Sequence, residues 1–285
     1  MRKRYYFILI IIFVLLLLFI LILQKKKDTI QIVVVNRIND SAFNRRFVKS
    51  YINSIQPNIL KIKLNNFRYG NRFIDYFRPI NIDEYNILNN IVKTLPDNKL
   101  LNGKWKIIKT VGHLELNFPF TLGDTICLPE IKKNIRHTLV HERMHILQRL
   151  YNDTFNRFLI NSLGFRLVVR IGYNPSNIFA NPDGFQLKES SWIFKSQGDW
   201  WCPFLLIDDK LALKKIAYKV YWVDNNTVRM TSIFKMVENL LGKKYPTCQL
   251  SQLYHPYEIM ADMGADFILK GTCGNSKIDS FYKHF

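Results

Sequence analysis

His141-Glu142-Arg143-Met144-His145 sets two imidazoles four residues apart, with a carboxylate beside the first. On a helix, positions four apart lie about 40° apart around the axis and one turn along it, so both rings reach one metal ion. Glu142 is placed to take a proton from an activated water rather than to ligate the ion. The chain has 6 His and 7 Glu in 285 residues. Independent draws at those frequencies give roughly 0.003 such matches, so coincidence is a poor account of the motif.

A hydrolytic zinc site needs a third protein ligand and one open position. Beyond His145 the glutamates are Glu189, Glu238 and Glu258. Glu258 stands in His255-Pro256-Tyr257-Glu258-Ile259-Met260-Ala261-Asp262, with Asp262 one helical turn on and so on the same face. That is the arrangement required if Glu258 binds zinc while Asp262 accepts a hydrogen bond from the second nitrogen of a ligand histidine. Glu189 and Glu238 have no such neighbour.

An HExxH followed at a distance by a helical ExxxD resembles the gluzincin branch of the zincin metallopeptidases. The likeness covers residues 137–148 and 255–262. It implies zinc as cofactor, a peptide or protein as substrate, and His141, His145 and Glu258 as ligands. It makes Glu142 the base and Asp262 the support of a ligand histidine. The metzincin branch is set aside, because its Gly and third His fall on Gln148 and Tyr151 here. Zincins also place a small sheet before the active-site helix, with an edge strand that pairs with extended substrate; Leu122 to Leu128 is the corresponding segment. Tyr173, Tyr254, His255 and Tyr257 are candidate donors to a developing oxyanion. His137, one turn before His141, is a candidate supporting group.

The surrounding pattern is mixed. Residues 30–38 read as a strand, 41–55 and 83–95 as helices, and 105–110, 113–118 and 122–128 as short strands. Residues 131–150 form the clearest helix, 155–163 another, and 256–269 a last one with Pro256 in its first turn. Residues 164–210 hold many Gly, Pro and Trp residues and read as loop-rich, with a turn at Pro182-Asp183-Gly184. Residues 216–223 and 227–234 read as a hairpin around Asp224-Asn225-Asn226, with a helix over 233–241 as the alternative for its end.

Tyr5 to Leu23 are 19 consecutive residues without charge. A helix of that length spans roughly 28 Å, close to a bilayer core. The expected architecture is therefore α+β: an N-terminal transmembrane helix over 1–28, followed by a zincin-like domain over 29–285. That domain divides into a helical and strand part (29–130) and a part with active-site helices (131–285). Basic residues flank the apolar run nearly equally, and the free amino group tips the orientation toward a non-cytoplasmic catalytic domain. The function expected is a membrane-anchored zinc peptidase touching the bilayer through residues 5–23. The alternative is an inactive zincin-like membrane-tethered binding module, which retention of Glu142 disfavours.

Four cysteines, Cys127, Cys202, Cys248 and Cys273, permit two disulfides or four buried thiols. None form a CxxC pair, which argues against a zinc ribbon. The net charge is +19, but the chain also has 26 Asn and 34 Ile against 6 Ala, the mark of AT-rich codons. The basic residues are scattered and form no nucleic-acid module, so no specific nucleic-acid partner is expected.

Overall fold

The computed structural model describes residues 30–34, 77–111, 114–173, 175, 178, 183, 190–207 and 212–285. A first sheet takes β1 (Gln31–Val34), β2 (Phe77–Arg78), β3 (Lys104–Thr110), β4 (Phe120–Leu122) and β5 (Thr125–Leu128). Its order is β1-β3-β5-β4, with β2 paired to β3. β1, β3 and β5 run parallel, and β4 folds back antiparallel on β5. Helix α1 (Ile82–Lys93) starts from a capping box in which Asn81 and Glu84 satisfy each other's backbone N–H groups.

The expected strand over 113–118 is instead a 3-10 turn, Leu114–Asn117, with Glu115 and Asn117 at positive φ. The expected strand over 122–128 is a hairpin, β4 and β5, closed by Gly123 and Asp124. β5 is therefore paired on both sides, and the edge is β4.

Helix α2 (Arg136–Leu150) buries ten consecutive residues, Leu139 to Gln148. An amphipathic helix would alternate with solvent every turn. This one is enclosed all round, and its polar groups need built partners. Arg143 shows the solution: Nη2 donates to the Asn102 carbonyl at 2.8 Å, and the guanidinium lies 5.9 Å from the Trp105 ring centroid. Helix α3 (Asn152–Asn161) follows directly.

Next comes a closed five-stranded barrel of β6 (Phe165–Gly172), β7 (Ser190–Ser196), β8 (Asp199–Ile207), β9 (Leu213–Trp222) and β10 (Thr227–Met236). Neighbours are antiparallel except β6 and β10, which close the barrel in parallel. Val168, Ile193, Cys202, Phe204, Tyr218 and Val228 fill the interior. On the alternate positions Phe165, Trp192, Phe194, Trp201 and Ala217 join the core built by the helices. One wall of the barrel is thus buried on both faces.

Helices α4 (Val237–Leu241), α5 (Pro256–Lys270) and α6 (Ser276–His284) complete the chain. In α5, a Cβ on Gly264 would stand 2.6 Å from Cζ and Oη of Tyr282, whose hydroxyl donates to the Met260 carbonyl. Gly264→Ala should therefore cost about 1–3 kcal/mol of overpacking, outweighing the helix propensity gained of about 1 kcal/mol. Denaturant unfolding checks this; a variant as stable as the native chain would show that Tyr282 moves freely.

Two expectations are corrected. The α+β reading of a transmembrane helix plus a zincin-like domain did not contain the barrel. The double-sided burial of its wall hides the two-residue alternation that marks a strand. In addition, no described helix is long and apolar enough to cross a membrane. The longest, α2 and α5, have 15 residues each, about 22 Å against a bilayer core near 30 Å. A single-pass membrane placement accordingly has no support in the structure. The anchor over residues 1–28, its apolar run at 5–23 and the helix expected at 41–55 lie outside the described residues.

Candidate metal centre

Helices α2 and α5 pack against each other and bring His141, His145 and Glu258 together, 113 residues apart in sequence between His145 and Glu258. All three are buried. His141 Nε2 lies 3.0 Å from His145 Nε2 and 3.2 Å from Glu258 Oε2; His145 Nε2 lies 3.4 Å from the same oxygen. Tetrahedral zinc with bonds of about 2.0–2.1 Å sets its ligand atoms roughly 3.3–3.4 Å apart. The two-nitrogen, one-oxygen set therefore fits a zinc ion in both chemistry and spacing. Of the other candidates, Glu238 lies on α4 outside this cluster, and Glu189 lies outside the described residues.

Glu142 is buried and lines the same cavity as His141 and Glu258. Its Oε2 is buried without a hydrogen-bond partner. Carboxylate oxygens of Glu142 and Asp183 and a ring nitrogen of His145 lie within 4.8 Å of one another. Burial first, then the Asp183 charge, pushes Glu142 well above the usual carboxylate range, against the pull of His145. Burial also disfavours the ionised Glu258, but His145 and His141 outweigh it and hold that group well below the range. Two neighbouring carboxylates driven apart in this way suit opposite roles: a proton carrier and a permanently ionised ligand. For His145, burial works against the charge, and Glu258 and Asp183 carry its pKa up to about 9. Metal binding there must displace a proton.

Asp262 is placed differently from expectation. Its Oδ2 accepts the Gln249 N–H at 2.8 Å, and its Oδ1 stands 3.8 Å from His137 Nε2 without a hydrogen-bond partner. His137 itself lies 3.2 Å from Asp266 Oδ1. The group that holds His145 is Gln148. Its Oε1 lies 2.9 Å from His145 Nδ1, and its Nε2 donates to the Tyr257 carbonyl at 2.8 Å. A proton on Nδ1 leaves Nε2 as the free donor atom for metal. Gln148 therefore fixes the tautomer and ties α2 to the residue before Glu258. Sequence reading used Gln148 only to exclude the metzincin spacing. The missed signal was its position three after His145, a neighbour on the helix surface. Gln148→Leu should weaken zinc affinity about 10–100-fold, read by competition with a chelator. Unchanged affinity would mean His145 keeps its orientation by packing alone.

The oxyanion candidates separate clearly. Tyr254 donates to Glu258 Oε1 at 3.2 Å and lines the cavity. Tyr257 bonds Asn152 and Asn156 on α3, away from the cluster. The His255 ring caps α5 by accepting the Tyr257 N–H, and burial lowers its pKa to about 4. Tyr173 packs on Tyr218 of the barrel.

The cluster opens into a cavity of about 320 Å³. At its edge β4 is closed rather than open to strand pairing. The outward N–H of Thr121 donates to Asp183 Oδ1 at 2.8 Å, and its carbonyl accepts from Arg149 Nη2 at 3.1 Å. Arg149 and Asp183 are themselves paired at 3.1 Å, and the Thr121 hydroxyl bonds both. All four cysteines are buried free thiols; Cys127 feels the Asp183 and Glu142 charges, but burial is the main cause that drives its pKa up. No family model, curated protein or solved structure matches this chain.

Proposed function

We propose that the chain is a zinc-dependent peptidase. The convergence of His141 Nε2, His145 Nε2 and Glu258 Oε2 beside an unpartnered Glu142 oxygen carries this reading. His141, His145 and Glu258 would hold the ion, which supplies a water of lowered pKa and polarisation of the scissile carbonyl. Glu142 Oε2 takes the proton of the attacking water and hands it to the leaving nitrogen. Burial, then the Asp183 charge, raises its pKa above the usual carboxylate range, the direction that suits a proton carrier. Gln148 keeps the His145 proton on Nδ1, and Tyr254 orients Glu258 through its second oxygen. Burial of α2 keeps bulk water from competing for these hydrogen bonds.

The test is a peptide mixture incubated with the zinc-loaded chain and read for new termini by mass spectrometry. The reading expects new termini with the native chain, none with a chelator present and none with Glu142→Gln. A zinc-loaded chain that produces none sinks it.

A further inference from the structure

The barrel supplies one wall of the cavity through Leu205 on β8 and Leu213 and Lys215 on β9. Leu205 and Lys215 are direct cross-strand partners. Leu213 precedes Lys215 by two residues, so all three share the barrel's outer face. Further along those strands the same face packs Trp201 and Ala217 into the helical core. The position of this wall is therefore fixed by the core.

Lys215 is half-buried and carries the one lysine or arginine charge among the described residues lining the cavity. Among the described residues, none pairs with its ammonium. Five carboxylates line the same cavity, Glu115, Glu142, Asp183, Glu258 and Asp262; Asp183 is engaged by Arg149, Glu258 by the two imidazoles, and one oxygen of Asp262 by the Gln249 N–H. A lysine stem laid on leucines with its ammonium at the cavity offers an anion a charge-assisted hydrogen bond. At Thr121, meanwhile, the β4 edge is occupied by Asp183 and Arg149, so backbone pairing there does not align a substrate.

We propose that Lys215 determines specificity by seating a carboxylate of the substrate. The substrate class is peptides with an acidic side chain, or a free C-terminus, close to the scissile bond. This rests on the peptidase reading above.

The probes are fluorescent peptides in matched pairs, Glu against Gln at single positions and free against amidated C-termini. Binding is measured on the zinc-loaded Glu142→Gln chain, and cleavage on the chain with Glu142. The acidic member should bind about tenfold tighter, as one hydrogen bond to a charged group provides. Adding Lys215→Met should erase that difference, and Lys215→Glu should invert it toward Lys-containing peptides; zinc content verifies that each variant is folded. Whichever pair shows the difference identifies the source of the carboxylate. Peptides cleaved with no acid preference, or a preference that survives Lys215→Met, would overturn the role of Lys215 and leave the peptidase reading standing. A zinc-loaded chain that neither cleaves nor binds any peptide overturns both.

Discussion

Glu142→Gln should lower kcat about 10³-fold, within the range of 10²–10⁴ that a positioned proton carrier contributes. The substitution keeps shape and volume, so α2 and the neighbouring His141 and His145 stay in place. What it removes is the ability of Oε2, buried and unpartnered, to accept a proton. Zinc content should therefore be unchanged and KM little affected. Stability should hold or rise, because a neutral amide avoids the cost of burying a charge that the structure already disfavours. Steady-state kinetics with zinc analysis on the same samples checks this. Activity within tenfold of the native chain would assign the proton transfer to another group, with Asp183 next in line by position.

The second large effect is on stability. Two imidazoles and a carboxylate gathered within 3.4 Å form a site present only in the folded chain. Zinc at a thousand times its dissociation constant should add about 4 kcal/mol to the unfolding free energy. For a chain of this size that is a rise in Tm of roughly 10 °C. His145→Ala deletes one ligand and should abolish the increment rather than merely lower the baseline. Thermal unfolding with and without zinc separates the two effects. An equal rise in the variant would place the ion elsewhere.

How much of this was legible in the sequence depended on how local each signal is. The HExxH residues share one helix turn, and four-residue spacing alone puts both rings on one side. Glu258 was legible through Asp262, although Asp262 then proved to face Gln249 and His137 rather than a ligand histidine. Gln148 was on the same helix and could have been weighed as a partner of His145. Asp183 had no such signal: it sits in a turn 62 residues from Thr121, and only the fold brings them together. The barrel was hidden for a different reason. Trp192, Phe194 and Trp201 face outward into the helical core while Ile193 and Cys202 face inward, so these strands carry apolar residues on both sides. The helix expected from 131 begins at Arg136, after a turn in which the Ile135 N–H donates to the Lys132 carbonyl, and Ile135 makes no side-chain capping bond.

The most direct measurement is elemental analysis of the purified chain beside His141→Ala, His145→Ala and Glu258→Ala, each verified as folded. The account predicts one zinc per native chain and far less in every variant, since each supplies one of three ligand atoms. A folded native chain that takes up no zinc on reconstitution, or variants that hold as much as the native chain, would contradict it.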